Sequence, residues 1–173
     1  MVVPRIITVD VDSREKYPLL FPSTILWHPD RSPHSHLLEV RTHTCKLDAG
    51  DYRLADYPDA AGIERKGSAA ELCSNLYTAD YTRFLAALTR FNTAFRVPYL
   101  LLDAAPADLW KPVKLGSSGP GVSPACIWDT LCRTLAATNI RLLWAGGCKH
   151  AGPRRILGEQ ITRLLLAHAL SET

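Results

Sequence analysis

Apolar residues recur along this chain with two different periods. In the first third they alternate. Ile6 to Asp12 reads as a buried strand that ends in acid. Residues 16–37 carry four prolines and no clean period, which predicts a loop with room for a short helix. Leu38 to Leu47, rich in Val, Thr and Leu, is β-like, and Asp48-Ala49-Gly50 signals a turn. Asp51 to Leu54 begins the next strand, Tyr57 to Ala61 turns, and Gly62 to Lys66 is a third. These three strands are expected to form an antiparallel meander.

Helical spacing then takes over. Ser68 is a good N-cap, and Glu71 three residues later completes a capping box for a helix running to about Leu76. A second helix begins near Asp80, with Phe84, Leu88, Phe91 and Phe95 on one stripe and Arg83 and Arg90 on another face. Val97 to Asp103 is an apolar strand. Trp110 to Pro124, rich in Gly, Ser, Pro and Lys, reads as a loop. A helix from Pro124 to Ala137, a strand from Ile140 to Trp144, a Gly-Gly turn and a last helix from Pro153 to Ala169 complete the chain. Early strands in a meander and late alternation of strand and helix predict an α/β fold, a mixed central sheet flanked by helices.

The last helix is apolar on more than one side, through Ile156, Leu157, Ile161, Leu164, Leu165, Leu166 and Leu170. A surface helix needs only one apolar stripe. The excess predicts either a partner, most simply a second copy in a twofold homodimer, or cover from the Trp110–Pro124 loop.

Composition narrows the class. At 173 residues, with 47% hydrophobic and 21% charged, the chain suits one globular domain, and residues 1–173 show no internal repeat or linker to a second. No run approaches the roughly 18 apolar residues of a membrane span, and the N-terminus starts directly in a strand-like run, so no secretory leader is expected. Five cysteines without a Cys-x-x-Cys pair suit reduced thiols in a cytoplasm. The net charge of +3 is unevenly spread: residues 1–107 hold 12 Lys/Arg against 13 Asp/Glu, and residues 108–173 hold 8 against 4. The basic C-terminal part is compatible with a phosphate-tracking surface.

The chemistry centres on Gly62-Ile63-Glu64-Arg65-Lys66-Gly67. Residues i and i+2 of a strand share a face, so Glu64 and Lys66 point one way and Arg65 the other. Taken alone, Glu-x-Lys is an ordinary surface ion pair. With an aspartate from a neighbouring strand it becomes a divalent-metal site with an ammonium beside it, equipment for hydrolysing a phosphodiester. Asp51, in Gly50-Asp51-Tyr52, and Asp12, at the end of the first strand, are the candidate carboxylates.

The order Val11-Asp12-Ser13-Arg14-Glu15, Gly50-Asp51-Tyr52, Glu64-Arg65-Lys66 resembles the PD-(D/E)xK nuclease superfamily and, within it, the XPF-type nuclease domain. The helix after Lys66 and the strand Arg141–Trp144 are also similar, so the resemblance spans roughly Ile6 to Leu170. It implies a restriction-endonuclease-like core and a metal-dependent endonuclease acting on branched or junction DNA. It further implies Mg²⁺ or Mn²⁺ held by Asp51, Glu64 and the backbone carbonyl of Arg65, with Asp12 assisting, Lys66 as the catalytic ammonium, and dimers built partly from the C-terminal helices. The chain is similar to stand-alone phage and bacterial forms without a helix-hairpin-helix module. A cytoplasmic, nucleoid-associated or virus-encoded protein would fit. Where the family has an Asp four residues after the motif lysine, this chain has Ala70, with Glu71 beside it. That departure leaves open a catalytically silent subunit that binds DNA or a partner nuclease.

Other residues carry alternatives. Arg14 and Glu15 suit either a salt-bridged strand end or a phosphate contact. Arg83 and Arg90 suit a solvated helix face or a grip on a DNA backbone. Lys111 and Lys114 lie on the basic loop and join Arg14 and Arg83 as candidate DNA contacts. Asp10 is either an extra acid near the metals or, the better expectation, an exposed strand end. His34-x-His36 and His43-x-Cys45 fit no common structural zinc spacing and read as a polar loop entering a strand. Trp27, Trp110, Trp128 and Trp144 are expected in the core, with Trp110 a possible base-stacking exception. Gly116–Gly121 lacks the Gly-Lys-Ser/Thr ending of a P-loop.

Overall fold

The first strand, β1 (Ile6–Asp12), buries Ile7, Val9 and Val11 on one face, as its alternation demands. Its other face carries Asp10 and Asp12, and these are only 3% and 2% exposed. Asp10 is therefore not the exposed strand end expected of it. The side chains of His43 and Arg53, on the strands paired to either side of β1, reach the Asp10 carboxylate at 3.0 and 3.1 Å.

The computed structural model describes residues 3–29, 34–114 and 121–171. The chain divides into two compact units, Met1–Ile63 with Lys149–Thr173, and Glu64–Cys148.

In the first unit the strands lie in the order β2 (Thr24–Trp27), β3 (His36–Cys45), β1, β4 (Tyr52–Leu54) and the leading part of β5 (Tyr57–Lys66). β3 runs parallel to β1, with Asp10 opposite His43 and Asp12 opposite Cys45. β1 is antiparallel to β4, and β4 to β5. The expected meander thus holds for β4 and β5 but fails at β3, because β1 sits between β3 and β4. Periodicity reports which face a strand buries, not which strand it pairs with. Two further expectations change. Thr24–Trp27 is a strand inside the predicted loop, bonded antiparallel to β3. Tyr57–Ala61 is not a turn: it opens β5, with Ala60 and Ala61 buried and the weak strand formers Pro58 and Asp59 exposed. The pairing register shifts between Arg53 and Leu54. The turn at Gly50 is as expected, with φ 73°.

The last helix, α5 (Ala151–Leu170), closes this unit. Arg154 donates through both Nε and Nη2 to the carbonyl of Pro18. Arg163 Nη1 donates to the carbonyl of Leu26 at 2.8 Å. At Gly158 the helix meets the backbone so closely that a Cβ would stand 2.3 Å from the Leu20 carbonyl oxygen. The leucines expected to await a partner are already covered: Leu157, Ile161, Leu165, Leu166 and Leu170 are buried, Leu164 is half-buried and Ile156 is exposed.

The second unit starts at Glu64. It contains the last three residues of β5, then α1 (Ala69–Tyr77), α2 (Tyr81–Ala94), β6 (Val97–Leu102), the short α3 (Pro106–Leu109), β7 (Val113–Lys114), β8 (Gly121–Val122), α4 (Pro124–Ala136) and β9 (Arg141–Trp144). β6 and β9 are parallel, and α1 packs on α2 and α4. α2 buries Phe84, Leu88 and Phe91 along its expected stripe. Phe95 is extended rather than helical and caps the helix, its ring 5.2 Å from that of Phe91. β7 and β8 pair within the predicted Trp110–Pro124 loop. Residues 115–120 of that loop, with most of the Gly116–Gly121 segment, lie outside the described residues. Ser123 caps α4 by accepting from the Cys126 N–H, and Pro124 takes the first helical position, where its missing donor costs nothing. Both strands and helices of the two units together bear out the α/β fold with mixed strand pairing and flanking helices.

Candidate functional site

In the first unit β1 delivers Asp12 to a fixed position. The Asp12 N–H donates to the carbonyl of Asp51 at 2.9 Å, and the Asp51 N–H donates to the carbonyl of Ile63 at 2.7 Å. Glu64 is the next residue along the chain. The Asp12 carboxylate is clamped by Arg14, whose backbone N–H and Nε reach it at 2.9–3.0 Å and whose Nη2 also bonds it. The same Nη2 donates to the carbonyl of Leu47 at 2.7 Å. Burial alone would push the Asp12 pKa up. The hydrogen bonds and charge of Arg14 outweigh it and hold the carboxyl below its ordinary value. Arg14 is therefore first a partner of Asp12, though 62% of its side chain remains exposed. Asp51 is half-buried.

In the second unit the alternation of β5 sorts the motif. Lys66 Nζ lies 2.9 Å from Glu64 Oε1, so these two share a face. Arg65 turns the other way and is buried against Asp103. Lys66 is 8% exposed and sits 5.2 Å from the centre of the Phe84 ring, a cation–π contact. The ammonium is thus held by a carboxylate on one side and a ring on another.

Glu71 does more than the capping box predicts. The Ser68 hydroxyl accepts from the Glu71 N–H at 3.1 Å, as expected. The Glu71 carboxylate, however, accepts from Gly67 N–H at 2.9 Å rather than from Ser68, and its other oxygen lies 3.7 Å from Lys66 Nζ. Ala70 is exposed. Glu64, Lys66, Asn75, Asp80, Arg83 and Phe84 line an open hollow of about 140 Å³. Arg83 is 78% exposed and paired with Asp80 at 3.0 Å. Arg90 is exposed on the same helix. Lys111 is 70% exposed and paired with Asp108, and Lys114 is exposed on β7.

Two clusters were not legible as such. Trp110, Trp128 and Trp144 form a tilted ladder with ring centres 6.4 and 5.3 Å apart. None of the four tryptophans is fully buried, which corrects their expected place in the core. Trp110 is 63% exposed, whereas Trp144 donates from Nε1 to the carbonyl of Ala104. Partners 18 and 16 residues apart leave no periodic signal. In the first unit, Asp10, His43 and Cys45 bring a carboxylate, an imidazole and a thiol within 4.8 Å of one another. All five cysteines are free. Burial pushes the thiols of Cys73 and Cys148 up, the latter aided by Asp103. No helix among the described residues is long and apolar enough to cross a membrane.

This architecture, a mixed α/β fold with a sheet flanked by helices, is similar to that of solved XPF structures. XPF from Aeropyrum pernix matches 96% of this chain and 62% of its own at 18% identity, with a TM-score of 0.52. XPF from Aeropyrum pernix in complex with DNA matches 95% and 64% at 16% identity, with a TM-score of 0.51. The chain spans less than two thirds of the length of either. No family model matches the sequence, and no curated protein matches it.

Proposed function

We propose that the chain is a divalent-metal-dependent DNA endonuclease that hydrolyses phosphodiester bonds in branched or junction DNA. The observation that carries this reading is the state of Lys66, a nearly buried ammonium bonded to Glu64 in a hollow that Arg83 also lines. The order of Asp12, Asp51, Glu64 and Lys66 along the sequence supports it, as does the fold shared with a protein solved in complex with DNA.

The donor set fits a hard cation. Asp12, Asp51, Glu64 and the Arg65 carbonyl offer only oxygen, the ligand that Mg²⁺ and Mn²⁺ prefer. A bound ion of this kind lowers the pKa of the attacking water and offsets charge on the phosphate oxygens. Asp51 and Glu64 are assigned as direct ligands. Asp12, already committed to Arg14, is assigned an outer role through bound water. Lys66 orients or deprotonates the attacking water, or balances charge in the transition state. Arg83, Lys111 and Lys114 are assigned to the DNA backbone, which they hold without reading sequence.

The test is cleavage of forked, flap and four-way DNA with Mn²⁺. Asp51→Asn and Glu64→Gln should each abolish cutting while DNA affinity is kept or raised, since anionic repulsion falls. Unchanged rates in both variants would sink the assignment. Ala70 favours a second reading, a silent subunit that binds DNA or a partner; binding without cleavage by the native chain would establish it. A homodimer rests on the family resemblance, because burial of Leu166 and its neighbours removes the unsatisfied apolar face that suggested one. Light scattering at tens of micromolar decides it.

A further inference from the structure

We propose that Asp10, His43 and Cys45 form a transition-metal site of the Zn²⁺ class. It is chemically unlike the all-oxygen set and independent of the nuclease reading. His43 and Cys45 are two residues apart on β3 and so share a face. β1 runs parallel beside them and sets Asp10 opposite His43. One ligand atom from each residue lies within 4.8 Å of the others. Ligands of a tetrahedral ion at about 2.0–2.3 Å stand roughly 3.3–3.8 Å apart, so small rotations close the site.

The donors decide the ion. An oxygen, a nitrogen and a sulfur suit a borderline cation, and Mg²⁺ has no use for a thiol. Three protein ligands leave a fourth position for water, the pattern of an open site. Asp10 is 3% exposed, while 62% of the His43 side chain faces solvent, so an ion has a route in. At present His43 Nδ1 lies 3.0 Å from Asp10 Oδ1, and Arg53 Nε donates to Asp10 Oδ2 at 3.1 Å. On binding, the ion takes the place of the hydrogen shared by His43 and Asp10; that proton passes through water to His43 Nε2, which keeps the ring neutral, and the Cys45 thiol proton leaves to solvent. Arg53 keeps its bond to Oδ2 and orients the carboxylate as an outer partner. A buried carboxylate, a thiolate and a divalent ion then sum to zero charge. The site would tie β1 to β3 next to the end of β1 that carries Asp12.

Titration with Co²⁺ tests this, because only thiolate ligation gives a sulfur-to-cobalt charge-transfer band. The native chain should develop the band with one equivalent, and excess Mg²⁺ should leave it in place. Cys45→Ser should abolish it. His43→Ala, an exposed position, should weaken the apparent affinity at least about tenfold, since even loss of an outer partner costs that much. The double variant Cys126→Ser/Cys132→Ser, which removes the two exposed thiols, should keep the band. Absence of a band in the native chain overturns the proposal. So does a band that survives Cys45→Ser, is lost with Cys126 and Cys132, or is displaced by Mg²⁺.

Discussion

Arg65 turns its guanidinium onto Asp103, with Nη2 2.5 Å and Nε 3.2 Å from the same carboxylate oxygen. Both side chains are buried. The other oxygen of Asp103 accepts from the Cys148 N–H at 2.5 Å, so one carboxylate joins the end of β5 to the segment after β9. Removing one member of such a pair leaves the other charge buried and uncompensated. Asp103→Ala should lower stability by roughly 3–5 kcal/mol, read from urea unfolding. A loss under about 1 kcal/mol would show the pair to be effectively solvated.

Lys66 and Glu71 separate catalysis from capping. Lys66→Ala should lower the single-turnover cleavage rate roughly a hundredfold or more, the scale of one lost electrostatic stabiliser, with a far smaller loss of DNA affinity. A loss confined to affinity would demote Lys66 to a phosphate contact. Glu71→Ala should cost on the order of 1 kcal/mol, because Gly67 N–H loses its acceptor. Glu71→Gln keeps an acceptor and should recover most of that stability. If the rate falls in the glutamine variant while stability holds, the Glu71 charge beside Lys66 acts in the reaction.

Position 158 admits no side chain. An added Cβ would meet the Leu20 carbonyl oxygen at 2.3 Å, and backbone cannot rotate aside as a side chain can. Gly158→Ala, which in an open helix would stabilise, should here cost roughly 1–3 kcal/mol by overpacking. A raised melting temperature would refute the close approach.

Arg14 governs the acid limb of stability. The Asp12 pKa is lowered in the folded chain, so its contribution is complete above the ordinary value of 3.8 and is lost as pH falls through the lowered folded value. Stability therefore rises with pH across that window. Arg14→Gln removes the charge and the clamp, so the acid-unfolding midpoint should move to higher pH. An unchanged midpoint by circular dichroism would show that Asp12 is not held in this way.

Much of this was readable because local chemistry decided it. The Phe84–Leu88–Phe91 stripe, the Ser68 cap, and the glycine turns at 50 and 146–147 each follow from residues a few positions apart. The opposed directions of Arg65 and Lys66 follow from strand alternation. What escaped was decided at a distance. Parallel pairing of β1 with β3, the burial of Asp10, and the Trp110–Trp128–Trp144 ladder all depend on partners that no short window contains. β5 began earlier than Pro58 suggests because pairing with β4 overrides a weak local preference.

The two units also differ in how their pieces are spaced along the chain. Glu64–Cys148 is one uninterrupted stretch, whereas the first unit joins the opening strands to α5 through bonds such as Arg154 to Pro18, 136 residues apart. During synthesis the residues of the later unit emerge together, while the first strands must wait for a helix made last. Contacts so far apart in sequence form slowly. The edge strand β2, whose Leu26 carbonyl receives Arg163, is thus left uncovered longest on the ribosome. Nascent-chain proteolysis near residues 18–27 should report when the first unit finally closes.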